Sequence, residues 1–88
     1  MKLNRPQITM TTAHAAFTAV DAAIAAGDTE IDLTGVTHAD SSLVALLLHA
    51  NRGLKARGLA LRVTHAPETL HRFIAVYGIE SLFDGTLV

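Results

Sequence analysis

Three consecutive residues, Asp40-Ser41-Ser42, stand between a short apolar stretch, Glu30-Ile31-Asp32-Leu33, and a strongly apolar run that begins at Leu43. A hydroxyl at the start of a helix faces backbone N–H groups and the positive end of the helix dipole. A phosphate or a partner's acceptor group is favoured in that place. Asp40 itself reads as an N-cap whose carboxylate accepts the N–H of Ser42 or Leu43. Spacing alone supports the cap, and Ser41 is the side chain beside it that remains available for recognition.

Catalytic readings of the same residues fare worse. A hydrolase would need Ser41 joined by a positioned base and an orienting acid. Ser, His and Asp are present, but no Gly-x-Ser-x-Gly elbow is, and 88 residues offer little wall for a substrate pocket. The stretch from Gly53 to Gly58 is followed by Leu59 instead of Lys-Ser or Lys-Thr, which removes a phosphate-binding loop. The five histidines, His14, His38, His49, His65 and His71, form no i, i+4 pair and have no acidic cluster at ligand spacing. His38 and His65, near strand ends, are the two candidates for a hydrogen-bonding or pH-sensitive contact at Ser41. The expectation is a non-enzyme with no catalytic residues, no cofactor and no metal.

Composition narrows the partners. A net charge of −1, with basic residues spread from Lys2 to Arg72, gives no field that would draw nucleic acid or an anionic membrane. The absence of cysteine removes disulfides, thiol nucleophiles and thiolate metal sites. Met1-Lys2-Leu3-Asn4-Arg5-Pro6 has no apolar segment after it, and the longest apolar run, Leu43 to Leu48, is far below membrane-spanning length. A single soluble, cytoplasmic domain over residues 1–88 is expected.

The elements that would carry Ser41 follow from local signals. Gln7 to Met10, just after Pro6, reads as a short edge strand. Thr11 or Thr12 caps a helix whose Ala13, Phe17, Val20 and Ile24 share one face, with His14, Thr18 and Asp21 away from it, and Gly27 stops it. Thr29 to Leu33 is a second strand. The next helix runs from about Ser41 to about Arg57, tolerating Gly53 and ending at Gly58. Leu59 to Thr64 is a third strand. Pro67-Glu68 opens a last helix with Leu70, Phe73, Ile74 and Tyr77 at helical spacing and Gly78 at its end. Ile79, Leu82 and Phe83 are too apolar for a free tail and are expected to fold back. Strands separated by helix-length segments imply an α/β domain with a mostly parallel or mixed sheet of about four strands and helices packed on it.

The stretch from Ile31 to Ser42, followed by an apolar helix, a Gly-led strand and the ending Tyr77-Gly78-Ile79, resembles the STAS domain over roughly residues 29–83. Within that family the short chain, abbreviated first strand and Ala-rich first helix are most similar to the MlaB-like branch. The resemblance implies a STAS-type fold and a subunit that binds and supports the ATPase of a phospholipid-transporting ABC complex. Such a subunit would be cytoplasmic and peripheral to the inner membrane, meeting the membrane only through its complex. It also implies that Ser41 matches the family's hydroxyl position, which in anti-anti-sigma factors is phosphorylated and in MlaB-like members lies at the ATPase contact. An anti-sigma factor antagonist switched by phosphorylation of Ser41 is therefore the alternative. Where the family carries Gly two residues after the hydroxyl, this chain has Leu43, which argues for a docking surface over a kinase-operated switch.

The helix after Asp40 supplies the rest of the expected site. Leu43, Leu46, Leu47, Ala50 and Leu54 form a stripe suited to burial on the sheet. The other side carries Ser41, Val44, Ala45, Leu48, Arg52 and Lys55. With Asp40 and Ser42, these compose the expected partner-binding surface: Ser41 as the central polar contact, Val44, Ala45 and Leu48 as apolar packing, and Arg52 with Lys55 as a charged rim. Two alternatives stay open: coverage of Val44 and Leu48 by a neighbouring helix or the C-terminal segment, and a symmetric homodimer that buries this side.

Overall fold

The structure, a computed structural model, describes residues 1–3, 5–83 and 85–87. Its elements are β1 (Gln7–Ile8), α1 (Ala13–Ala25), β2 (Glu30–Asp32), β3 (His38–Ala39), α2 (Ser41–Lys55), β4 (Arg62–Thr64), α3 (Glu68–Tyr77) and a closing 3-10 turn, Glu80–Phe83. This is a small α/β fold with parallel strands, as the strand–helix alternation requires.

The strands pair in two sets. β2 lies parallel to β4 with Ile31 opposite Val63, and β1 lies parallel to β3 with Ile8 opposite Ala39. Parallel bridges extend the first pair on both sides, Lys2 to Asp32 and Val63 to Leu87. The second pair sits further along the same two neighbouring chain segments, and its register differs by one residue from that of Lys2 and Asp32. Pro6 marks the break. It has no N–H to give to a ladder, and its carbonyl instead accepts both Thr37 N–H and His38 N–H at 2.9 Å.

Strand lengths fall short of the sequence reading for local reasons. Thr9 and Met10 leave the strand for a turn in which the Thr9 carbonyl accepts Thr12 N–H and Ala13 N–H. The expected third strand begins only at Arg62, because Leu59 N–H is spent on the Leu54 carbonyl to close α2. All three helices end at the glycines expected. Gly27 shows why: at φ +84° it lets its own N–H reach Ile24 and the Asp28 N–H reach Ala23, satisfying carbonyls a straight chain would strand.

The core is continuous. Leu43, Leu46, Leu47, Ala50 and Leu54 of α2 are buried as the stripe required, with Ile31, Leu33, Leu61 and Val63 below them and Leu70 and Ile74 beside them. On α1 the buried set is Ala13, Ala16 and Val20, with Phe17 and Ile24 partly covered, so Ala16 joins the expected face. Gly53 is the point of close approach between α1 and α2: a Cβ there would lie 3.3 Å from Ile24 Cδ1. The C-terminal segment folds back through Phe83 and in part Ile79, whereas Leu82 stays half exposed, a correction to the sequence reading.

Candidate functional site

Asp40 builds the site. Its backbone is extended (φ −107°, ψ −166°), and its Oδ1 accepts the Ser42 N–H at 2.8 Å, the cap expected from sequence. Its carbonyl accepts the Leu43 N–H at 3.1 Å. Its Oδ2 reaches across the chain to accept the Met10 N–H at 3.1 Å. These donors, Ser42 N–H first and Met10 N–H among the others, hold the Asp40 carboxyl below the ordinary carboxylate range. The amides of Ser42 and Leu43 are thus already matched to Asp40, so an anion arriving here meets a carboxylate in place.

Ser41, the first residue of α2, is exposed, and its hydroxyl makes no hydrogen bond among the described residues. Four further residues share its direction around the helix to within about 40°: Ala45, Leu48, Arg52 and Lys55. Ala45, Arg52 and Lys55 are exposed, and Leu48 is partly buried against the core. Neither cation is in an ion pair among the described residues, and both lie in the last turn, where positive charge complements the helix dipole. The result is one exposed stripe that passes from hydroxyl to small apolar side chains to two cations.

Val44 does not belong to it. The sequence reading placed it on the outer surface, but only 5% of Val44 is exposed and its side chain is part of the core. It lies about 60° around the helix from Ser41, on the flank shared with the buried stripe. Val44 is thus covered within the chain, and Leu48 in part. Leu43 is likewise fully buried and points away from Ser41, so its side chain forms no barrier above the hydroxyl.

The two candidate histidines part company. His38 is in β3, exposed, two residues before Asp40, with Nδ1 3.2 Å from the Thr37 hydroxyl. His65, at φ +56°, turns its Nδ1 to Asp32 Oδ1 at 3.2 Å instead of toward Ser41. The Thr34 hydroxyl and N–H, and then His65, hold Asp32 below the ordinary carboxylate range. A separate groove of about 460 Å³ at the far end of α2, lined by Asn51, Lys55, Leu59, Leu61, Leu82 and Thr86, meets the stripe at Lys55.

Met10 is an exposed apolar residue beside this candidate site that sequence reasoning passed over. At 81% it is the most exposed large hydrophobic side chain described, and its backbone is tied to the cap of α2. Read as the last residue of a strand, it looked structural. The signal available was its setting, an apolar residue among Thr9, Thr11 and Thr12, whose hydroxyls favour turns over ladders.

No helix among the described residues is long and apolar enough to cross a membrane, and no three His, Cys, Asp or Glu side chains among them are placed to hold a metal ion. A family model described as "Mlab, STAS domain" matches residues 7–87. No curated protein and no solved structure matched in the corresponding comparisons.

Proposed function

Since the chain belongs to the MlaB-type STAS-domain family, we propose that it is a non-enzymatic accessory subunit that docks through the exposed stripe of α2 on the nucleotide-binding ATPase of a phospholipid-transporting ABC complex. In that role it works in the cytoplasm, peripheral to the inner membrane through its complex. The observation that carries this reading is the stripe itself: Ser41, Ala45, Arg52 and Lys55 stand exposed on a helix whose other side is fully committed to the core. A polar centre, small apolar contacts and a cationic rim have the composition of a protein-binding surface. By binding one conformation of the ATPase more tightly than another, such a subunit shifts the population toward it.

The test is binding of the purified chain to a purified ATPase subunit of this transporter class. Ser41→Asp and Arg52→Glu are expected to weaken it by about tenfold or more while leaving the melting curve of the isolated chain in place. Undiminished binding by both variants would remove the stripe from the interface.

One observation favours a second reading, an anti-sigma factor antagonist switched at Ser41: the hydroxyl is exposed, without a hydrogen bond among the described residues, and not screened by Leu43. A phosphoryl group there would add about two negative charges beside Asp40, whose carboxylate already holds the Ser42 N–H, and would drive a partner away. Ser41→Ala separates the two. Equal loss with Ala and Asp marks a contact residue, whereas loss with Asp alone marks a switch.

A further inference from the structure

The turn between β1 and α1 is laced by hydroxyls. Thr12 Oγ1 accepts the Thr9 N–H at 2.9 Å and donates to the Gln7 carbonyl at 3.1 Å, and Thr9 and Thr11 join hydroxyls at 3.1 Å. Thr12 holds the N-cap position of α1 without capping it, so the hydroxyl that the sequence assigned to α1 stabilises this turn instead. Asp40 fixes the turn from the other side through the Met10 N–H. A backbone pinned at both ends holds the exposed Met10 side chain outward, close to the helix start that carries Ser41.

We infer that Met10 is the apolar anchor of the Ser41 docking surface, and that the surface receives an amphipathic segment of a protein partner, with its large apolar side chain over Met10 and its carboxylates against Arg52 and Lys55. This rests on the reading given above and assigns the orientation of the partner. Three features on the page carry it. The Met10 N–H is bound to Asp40 at the N-terminal end of α2, and the cations lie at the other end of this 15-residue helix, which is about 20 Å long. The two ends differ in chemistry, thioether against paired cations, so only one direction of a partner segment satisfies both. The turn is already ordered, so burying Met10 carries little loop-ordering cost, and an unbranched thioether adapts to an irregular pocket.

The experiment measures the affinity of the full chain for the purified nucleotide-binding ATPase subunit at low and high salt. Met10→Ala is expected to weaken binding by about tenfold at both salt concentrations, and Met10→Leu to restore it to within about threefold. Arg52→Ala is expected to weaken binding at low salt and to matter less at high salt. Both Met10 variants keep the backbone N–H that Asp40 holds and should melt like the unmodified chain. If Met10→Ala binds normally while Ser41→Asp does not, the anchor is overturned and the docking stripe stands. If the unmodified chain does not bind the ATPase, or if the Met10 variants change only self-association of the chain, the docking reading fails and the anchor fails with it.

Discussion

His49 of α2 places its Nε2 2.6 Å from Asp21 Oδ1 of α1. The Phe17 ring lies tilted against the same imidazole, with centroids 5.2 Å apart. This link borders the exposed stripe and ties the two helices on their solvent side. Both polar partners are substantially exposed, so their coupling is modest. A double-mutant cycle of Asp21→Ala and His49→Ala should give about 0.2–1 kcal/mol. Coupling well above that range would mean that the pair is shielded in solution.

Val44 and Ala45 are adjacent residues with opposite duties. Val44→Ala removes two buried methyl groups and should cost about 2 kcal/mol of stability with no effect on affinity once the protein is folded. Ala45→Glu should leave the unfolding free energy within about 0.5 kcal/mol and reduce partner binding by about tenfold or more. Denaturant melts beside a binding titration read both. The reverse pattern would put Val44 back on the surface.

Asp40 gives the protein an acid limit. Its carboxyl is held below the ordinary aspartate value in the folded chain, so the stability it contributes is fully present above that ordinary value and is lost as pH falls through the lower folded value. Asp40→Ala is expected to lower the melting temperature by a few degrees at pH 7 and to flatten this acid limb. Asp40→Asn, which still caps, should keep most of the neutral-pH stability while losing the same pH dependence. Melting curves between pH 7 and pH 3 distinguish the three proteins.

Gly53 tests the closeness of α1 and α2. An added Cβ would meet Ile24 Cδ1 at 3.3 Å, the end of a flexible and only partly buried side chain. The terminal methyl can turn aside, so the helix propensity of alanine should prevail, and Gly53→Ala should stabilise the chain by up to about 1 kcal/mol. Gly53→Val should destabilise it, because a branched side chain cannot share that space. Chemical denaturation of both variants measures the balance.

The helices were legible in the sequence because their signals are local: Asp40 caps α2 with the bond its spacing predicts, and Gly27, Gly58 and Gly78 stand where the helices stop. Strand extents were less legible, since Leu59 and Thr9 give their backbone groups to turns that an apolar pattern does not reveal. Helical spacing placed Ser41, Ala45, Arg52 and Lys55 on the exposed side of α2, where the structure has them. It failed at Val44, because a single helix cannot show how much of its flank the rest of the fold will cover. The place of Met10 beside α2 was invisible for the same reason, since it is set by a hydrogen bond to a residue 30 positions away.

The pairing of β1 with β3 rests on two register positions, with Ile8 wholly buried opposite Ala39. Side chains in a strand alternate between faces, so a slip of one residue would expel Ile8 from the core and carry Met10 away from Asp40 in the same movement. Intermediate placements do not exist. The outer geometry that a partner would meet is therefore quantised by a hidden isoleucine, and drift in the exposed residues can alter the chemistry of recognition without detuning its alignment.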